Sequence, residues 1–179
     1  MSYTEIYAIK KNGDVIKFSE TQNAFRGAMS IWNIIDLKYL PPFIPRWNYL
    51  FEKDHIFHRT SDSDAIKEIW KLYDDGDTLS KTDKIVLGTT FDNVVVMKND
   101  IPMVIEAFNE FEGNHTLKEQ AIILEEIYKS KKYIGCAWNQ TSVNGDAWIY
   151  GYTPLSGNPI PYNIIKHTEH DEIFKEGYN

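Results

Sequence analysis

The carboxyl-terminal third of the chain carries the run Tyr133-Ile134-Gly135-Cys136-Ala137-Trp138-Asn139-Gln140-Thr141-Ser142-Val143-Asn144-Gly145-Asp146-Ala147-Trp148. Its apolar first part is typical of a β-strand. The Asn-Gly pair that follows is the strongest short signal for a β-hairpin, because the central turn residues need positive φ. We therefore predict a hairpin whose strands, over 133–143 and 146–152, flank Asn144-Gly145.

Polar side chains fill the middle of this run. In one interpretation these residues belong to an ordinary hairpin. Side chains alternate along a strand, so Trp138 and Gln140 lie on one face and Asn139 on the other, and the asparagine and aspartate that follow form the turn. The other interpretation is a recognition surface, with a tryptophan stacking on a base, sugar or peptide. Its candidate residues are Trp138, Asn139, Gln140, Thr141, Asn144, Asp146 and Trp148. The run lacks a nucleophile–base pair, so it favours binding over catalysis, and we assign no catalytic residue.

The single cysteine excludes an internal disulfide framework and fits a reducing cytoplasm. Cys136 lies in an apolar strand pattern, which favours a buried, inert thiol over a nucleophile. Residues 1–17 lack the continuous apolar core of a secretory signal, and no segment approaches the roughly 20 apolar residues that cross a bilayer. We therefore expect a soluble protein of the cytoplasm that has no membrane partner.

Charge is distributed unevenly along the chain. Residues 1–60 hold 8 basic and 6 acidic residues, whereas residues 61–179 hold 11 basic and 20 acidic residues. An acidic protein with few arginines is not expected to bind nucleic acid directly, because that binding needs clustered Lys and Arg. The acidic surface either confers solubility or docks on a basic partner, including a nucleic-acid-binding protein whose groove it blocks.

A second Asn-Gly pair and a long helical pattern organise the first third of the chain. Asn12-Gly13 predicts an N-terminal hairpin between strands over 3–9 and 15–18. Apolar residues at three- and four-residue spacing predict a helix over 21–39, which a Pro-Pro pair ends. The connector over 41–60 is rich in aromatic residues; a loop of this length is either packed down by those residues or functional.

Helices alternate with short strands in the rest of the chain. We predict a helix over 62–75, a helical turn from Ser80, a strand over 91–97, a helix capped by Asp100, a helix opened by a capping box of Thr116 with Glu119, a strand over 162–165 and a helical turn over 170–175. This order is that of an α+β protein rather than a βαβ alternation. We expect one α+β domain over 1–179, in which N-terminal and C-terminal hairpins join one mixed or antiparallel sheet packed on helices.

Four of the five histidines form two pairs with a spacing of three residues. Histidines at this spacing share a helix face and can reach one metal ion. The metal-binding candidates are His55, His58, His167 and His170. Both pairs lie in regions typical of surface loops, and no H-E-x-x-H motif or cysteine ligand accompanies them. We therefore expect neither a bound metal nor a cofactor.

Several distinctive segments are spread over almost the whole chain. They are Ile6-Tyr7-Ala8-Ile9-Lys10-Lys11-Asn12-Gly13-Asp14, Ala24-Phe25-Arg26-Gly27-Ala28-Met29, Lys38-Tyr39-Leu40-Pro41, Leu87-Gly88-Thr89-Thr90-Phe91-Asp92 and Ala137-Trp138-Asn139-Gln140-Thr141-Ser142-Val143-Asn144. Together they resemble a family of small proteins, of no assigned activity, encoded by prophages and mobile elements of Gram-positive gut bacteria. The resemblance carries over no catalytic residue.

What the resemblance implies is a biological context. Small acidic proteins of phages often bind host machinery, and inhibitors of bacterial immunity, including anti-CRISPR proteins that act on Cas nucleases, are one such group. The resemblance therefore implies a phage accessory protein that binds and inhibits a host protein, such as a Cas nuclease, and favours a protein that is not an enzyme. The alternatives are a small nucleotide-binding or nucleotide-processing protein that uses the hairpin over 138–148, and a homo-oligomeric structural protein.

Overall fold

The computed structural model describes residues 3–22, 28–40, 63–114, 116–140 and 147–174. The helices are α1 (Ala28–Tyr39), α2 (Ser63–Asp74), α3 (Lys81–Gly88), α4 (Ile101–Glu110) and α5 (Thr116–Lys129). The strands are β1 (Tyr3–Lys10), β2 (Val15–Gln22), β3 (Val94–Met97), β4 (Tyr133–Gln140), β5 (Ile149–Tyr152), β6 (Pro159–Pro161) and β7 (Asp171–Glu172). The predicted aromatic-rich connector over 41–60 lies outside the described residues.

Five of these strands form one mixed sheet in the order β2-β1-β4-β3-β7. β1 pairs antiparallel with β2 and β4, β3 pairs antiparallel with β4, and β7 lies parallel to β3. The hairpin at Asn12-Gly13 is confirmed: Gly13 has a φ of +91°, and its N–H donates to the Lys10 carbonyl at 2.8 Å. The predicted α+β class, with a mixed sheet and helices, is confirmed as well.

The predicted pairing across Asn144-Gly145 is wrong. β5 pairs with β6 in a separate two-stranded sheet and does not pair with β4. β1 runs along one edge of β4, and β3 pairs with β4 from Gly135 to Ala137. The Trp148 indole N–H donates to the Trp138 carbonyl of β4 at 2.8 Å. Backbone groups of β4 are thus bonded to elements other than β5, which finds its partner further along the chain.

One face of the five-stranded sheet packs against the helices. The largest core cluster joins sheet residues such as Ile6, Val96 and Trp138 to helical residues such as Ile35 and Phe108. The Phe108 and Trp138 rings meet edge to face, with centroids 6.2 Å apart. Burial of one large apolar side chain contributes about 1.5–3 kcal/mol to the free energy of unfolding, so packing on this face supplies much of the stability. None of the helices in the described ranges is long and apolar enough to cross a membrane.

The opposite face of the sheet is covered by the segment that follows β4. A second core cluster contains Ile9, Val15, Val95 and Ala137 from the sheet, with Trp148 and Tyr162 packed on them. The Val15 N–H donates to the Tyr162 carbonyl at 2.9 Å, which fixes this segment to the first hairpin. The sheet therefore lies between a helical layer and a C-terminal layer.

Several boundaries differ from the prediction. Residues 21–22 continue β2 instead of opening the first helix, and α1 is described from Ala28. The predicted strand over 162–165 is an isolated bridge at Asn163 followed by a turn; the strand lies earlier, at β6. β6 is rich in proline, which is tolerated there because the strand is half of a two-stranded sheet. The segment expected to form a terminal helical turn contains β7.

Helix capping also differs at two positions. Asp100 precedes α4 as predicted, but its side chain makes no capping hydrogen bond. Ser80 caps α3 as predicted, since its Oγ accepts the Asp83 N–H at 3.1 Å. At α5, however, the Asn114 side chain takes the role predicted for Thr116: its Oδ1 accepts the Thr116 N–H at 3.1 Å. Asparagine is preferred over threonine as a capping residue, so Asn114 caps the helix in place of Thr116, which lies two residues later.

Candidate functional site

The structure describes four of the seven candidate recognition residues. Trp138, Asn139 and Gln140 lie at the end of β4, and Trp148 precedes β5. The other three candidates, Thr141, Asn144 and Asp146, lie outside the described residues. The hypothesis that the run over 138–148 binds a nucleotide therefore remains a prediction.

The two tryptophans are core residues on opposite faces of the sheet. Trp138 is 2% exposed in the helical core, and Trp148 is 1% exposed in the C-terminal core. The Trp148 ring packs against Tyr162, with centroids 5.5 Å apart. Neither indole presents an open ring face, so in this structure their role is packing rather than stacking on a ligand. Sequence spacing alone had suggested that they bracket one surface.

The two amides of β4 bond within the sheet. The Gln140 Oε1 accepts from the Thr4 hydroxyl at 2.8 Å on the helical face. The Asn139 Nδ2 donates to Glu5 Oε2 at 2.9 Å on the opposite face. The predicted alternation of Trp138 and Gln140 against Asn139 is thus confirmed. These two bonds tie both amides to neighbouring strand β1, as is usual for buried polar groups.

Glu5 is the centre of the network that holds Asn139. Its carboxylate also accepts from the Tyr7 hydroxyl at 2.9 Å and from Lys17 Nζ at 2.6 Å. Burial raises the pKa of Glu5, but the hydrogen bonds from Lys17, Asn139 and Tyr7 outweigh burial and leave that pKa below its ordinary value. Burial and the Glu5 hydrogen bond raise the pKa of Tyr7 to about 12. The network therefore joins β1, β2 and β4 in one fixed charge state near neutral pH.

The thiol and the described histidines take structural positions. The predicted burial of Cys136 is confirmed, and burial raises the pKa of its thiol. His167 stacks on Tyr150 with centroids 3.8 Å apart, and His170 Nδ1 lies 3.1 Å from the Tyr162 hydroxyl. Within the described ranges, no group of three or more metal-ligating side chains is present. His55 and His58 lie outside those ranges.

An exposed apolar surface occurs on the hairpin of β5 and β6, a feature that the sequence prediction missed. We call it the hairpin surface; its members are Tyr150, Tyr152 and Leu155. The two tyrosines are 57% and 54% exposed, and the Leu155 side chain is fully exposed. The available sequence signal was the two-residue spacing of the tyrosines before a turn rich in proline and glycine.

Hydrogen bonds order the tip of this hairpin. The Thr153 N–H donates to the Asn158 carbonyl at 2.9 Å, and the Gly157 N–H donates to the Thr153 carbonyl at 2.9 Å. Gly157 has a φ of +65°, which glycine adopts without strain. The turn therefore holds Leu155 in solvent by its own backbone bonds. The exposed position of Leu155 therefore follows from the ordered conformation of the turn.

A second surface feature is a cleft of about 610 Å³ where α1, α3 and α4 meet. We call it the helical cleft. Ile34 and Phe111 supply apolar walls, and Lys38, Asp83, Glu110 and Glu112 supply charge. Asp83 is buried and accepts from Lys38 Nζ at 2.5 Å and from the Tyr39 hydroxyl. Burial raises the pKa of Asp83, but the hydrogen bonds from Lys38, Tyr39 and Ser80 outweigh burial and lower it.

Replacing Asp83 by asparagine is expected to lower the free energy of unfolding by about 1–3 kcal/mol at pH 7, because charge-assisted bonds from Lys38 and Tyr39 are lost. The folded pKa of Asp83 lies below its unfolded value. Its stabilisation is therefore present above the unfolded pKa, about 3.9, and is lost as the pH falls through the folded pKa. Urea unfolding at pH 7 and pH 2.5 measures both limits. The exposed Asp77→Asn serves as control; an equal loss at both pH values would contradict the assignment.

Comparison with known proteins gives no relative for this chain. No protein-family model, curated protein or solved structure matches it. The resemblance to prophage-encoded proteins therefore remains a prediction, and functional inference depends on the surfaces described above.

Proposed function

We propose that this protein is a phage or prophage accessory protein that binds a host protein in the bacterial cytoplasm and inhibits it, with the hairpin surface as its main contact. The observation that carries the proposal is the group of large apolar side chains held in solvent by an ordered hairpin. Clusters of exposed apolar and aromatic side chains mark interaction surfaces more often than single exposed residues do. Tyrosine in particular is enriched where binding energy is concentrated.

The hairpin surface is attached to a rigid base. The Tyr162 N–H donates to the Trp148 carbonyl at 2.9 Å, so the segments flanking β5 and β6 bond to each other beneath the hairpin. Tyr150 is already stacked on His167, with an angle of 17° between the ring planes. Side chains that are ordered before binding lose less conformational entropy when a partner arrives. These contacts support a preformed binding surface.

The charge of the chain supports a basic partner. The protein carries a net charge of −7, and the excess of acidic residues lies in residues 61–179. Charge complementarity increases the rate of association and selects among partners. Proteins that bind nucleic acid are basic, and a Cas nuclease is the member of that class that the prophage resemblance suggests. We therefore propose an anti-CRISPR type of inhibition as the specific form of this function.

A double variant of the hairpin surface tests the proposal. Tyr152→Ala with Leu155→Asp is expected to weaken binding to the host partner at least tenfold, because a contact residue of this kind contributes more than 1 kcal/mol and about 1.4 kcal/mol corresponds to tenfold. The wild-type protein and the variant are used to capture proteins from host lysate. The affinity of each protein for the captured partner is then measured by titration. In a separate titration, each protein is added to a purified Cas nuclease with guide RNA and target DNA, and cleavage is measured.

The matched control is Ile122→Asp, which places the same charge on α5 at a side chain that is 63% exposed. This control should bind and inhibit as the wild type does. Failure of the wild type to capture a partner, or equal capture by the double variant, would contradict the proposal. Capture of a partner without inhibition of Cas cleavage would reject the anti-CRISPR form while keeping protein binding.

A further inference from the structure

Six lysines lie at one end of the five-stranded sheet, although they are scattered along the chain. This end contains the turn between β1 and β2, the segment after β3 and the loop before β4. Lys10, the last residue of β1, lies opposite Tyr133, the first residue of β4. Met97, the last residue of β3, lies opposite Gly135. We call this set the lysine end; its members are Lys10, Lys11, Lys98, Lys131, Lys132 and Lys166.

Hydrogen bonds fix the segments that carry these lysines. The Lys98 ammonium group donates to the Ser130 carbonyl, which ties the loop before β4 to the end of β3. The Asn163 amide donates to the Asn12 carbonyl at 2.9 Å, and the Asn163 backbone carbonyl accepts the Lys166 N–H at 3.2 Å. The C-terminal layer therefore holds Lys166 beside the turn of the first hairpin.

The positive charge of the lysine end is not neutralised by ion pairs. Among the described residues, none of its six lysines forms an ion pair with a carboxylate. The turn between β1 and β2 contains one carboxylate, Asp14, whose two oxygens accept from the Asn12 and Asn163 amides. Five of the six lysines are exposed, and Lys98 is half-buried. The protein has a net charge of −7, so the lysine end differs in sign from the molecule as a whole.

Helix stability explains only part of this arrangement. Lys131 and Lys132 follow the C-terminal end of α5, where positive charge is favourable. Lys10 and Lys11 belong to a β-hairpin, and Lys166 belongs to the C-terminal layer, so the dipole of a helix does not account for them. Like charges that are gathered at one place destabilise the folded protein, and an anionic ligand would remove this repulsion.

We propose that the lysine end binds the phosphate backbone of a nucleic acid. A nucleic-acid duplex carries one negative charge per about 1.7 Å of its axis, so several phosphates can reach several lysines at once. The surface of an acidic protein mixes charges of both signs and matches a group of unpaired lysines less well. Lysine is a flexible point charge, so we expect contacts with phosphates rather than recognition of particular bases.

The tertiary structure changes the expectation drawn from composition. Direct nucleic-acid binding was not expected because it needs clustered basic residues, and Lys10, Lys98 and Lys166 lie far apart in the chain. Folding brings them to one end of the sheet. Salt at 0.15 M screens exposed charges beyond about 8 Å, so acidic residues elsewhere on the molecule do not cancel the attraction at this end.

Fluorescence anisotropy of a labelled DNA duplex of about 20 base pairs, titrated with the full-length protein, tests the proposal. The logarithm of the association constant is expected to fall linearly with the logarithm of the NaCl concentration. The slope should be about −3 to −5, since each lysine that contacts a phosphate contributes about −0.9. A labelled single-stranded RNA of the same length shows which nucleic acid binds more tightly, and salt-dependent binding of either one supports the proposal.

Two results of these titrations would overturn the proposal. One is the absence of binding to both nucleic acids at a NaCl concentration of about 50 mM, where phosphate contacts are strong. The other is binding of polyglutamate with at least the affinity of the nucleic acids, because that result would point to an acidic protein as the partner.

A triple variant of the lysine end tests which residues make the contact. Lys11→Ala with Lys132→Ala and Lys166→Ala is expected to weaken duplex binding at least tenfold at about 50 mM NaCl and to make the slope shallower by about 2 to 3. All three side chains are exposed, so the melting temperature should not fall. Undiminished binding by this variant would contradict the proposal.

The matched control is Lys71→Ala with Lys81→Ala and Lys118→Ala. It removes the same charge from exposed lysines of α2, α3 and α5 and should bind the duplex as the wild type does. An equal loss of affinity in both triple variants would show that net charge alone governs binding, and would overturn the proposal. The titrations use the protein without a host partner, so their outcome is independent of capture through the hairpin surface.

Discussion

Replacement of Trp148 by alanine is expected to lower the free energy of unfolding by about 3–5 kcal/mol, the range for removing a large aromatic side chain from a packed core. Trp148 is the largest side chain of the C-terminal core and packs against Tyr7 and Tyr162. Its indole also donates to the Trp138 carbonyl at 2.8 Å. Alanine removes both the packing and the bond, so the C-terminal layer loses its main attachment to β4.

Guanidinium unfolding followed by circular dichroism measures this loss. Trp148→Phe is the matched variant: it keeps an aromatic ring in the core but removes the indole N–H. It should cost about 1–3 kcal/mol, between the wild type and the alanine variant, because the hydrogen bond and part of the volume are lost. A loss below 1 kcal/mol for Trp148→Ala would show that the C-terminal layer does not depend on this residue.

Replacement of Asn163 by alanine is expected to lower the free energy of unfolding by about 2–4 kcal/mol, since four hydrogen bonds of about 1 kcal/mol each are lost. The buried Asn163 side chain donates to the Asn12 carbonyl at 2.9 Å and to Asp14 Oδ1 at 2.8 Å. Its Oδ1 accepts the N–H groups of Ile165 and Lys166 at 3.0 and 3.1 Å. One side chain thus joins the C-terminal layer to the turn of the first hairpin.

Two further measurements check the role of Asn163. The hydrogen bond from Asn163 is the main cause that lowers the pKa of Asp14, so alanine should move that pKa back toward its ordinary value. An NMR titration of the Asp14 carboxyl detects this change. Asn163→Asp keeps the acceptor but removes the donors and adds a charge beside Asp14; it should destabilise at pH 7 and recover in part as the carboxyls are protonated. An unchanged Asp14 pKa in Asn163→Ala would contradict the contact.

The elements that sequence reasoning placed correctly are those specified by neighbouring residues. Asn12-Gly13 sets the first hairpin because glycine adopts the positive φ of the turn. The helix beginning after Ser80 and the helix with Pro102 in its first turn follow from capping and proline preferences. In each case the residues that specify the turn or the helix end lie within a few positions of one another, so the local sequence is sufficient to predict the element.

The candidate site was harder to predict, because it depends on which strands meet. The run over 138–148 contains both a hairpin signal and two tryptophans, and the sequence suggested one surface. In the structure, Gln140 pairs with Thr4, 136 positions earlier, and Asn139 pairs with Glu5. Several strands could pair with β4, and a local sequence pattern does not show that β1 and β3 do so while β5 does not. The hairpin surface was missed for the same reason: exposure depends on what packs over a residue.

By itself, the sequence determined the α+β class, the first hairpin, the succession of helices and the burial of Cys136. Turn preference, helical periodicity and capping act over a few residues, and apolar composition predicts burial of a small side chain. Only the tertiary structure decided that β4 pairs with β1 and β3, that Trp138 and Trp148 enter different cores, and that Tyr150, Tyr152 and Leu155 remain exposed. Those outcomes depend on contacts between distant residues, where several partners of similar local preference compete and the best-packed arrangement has the lowest free energy.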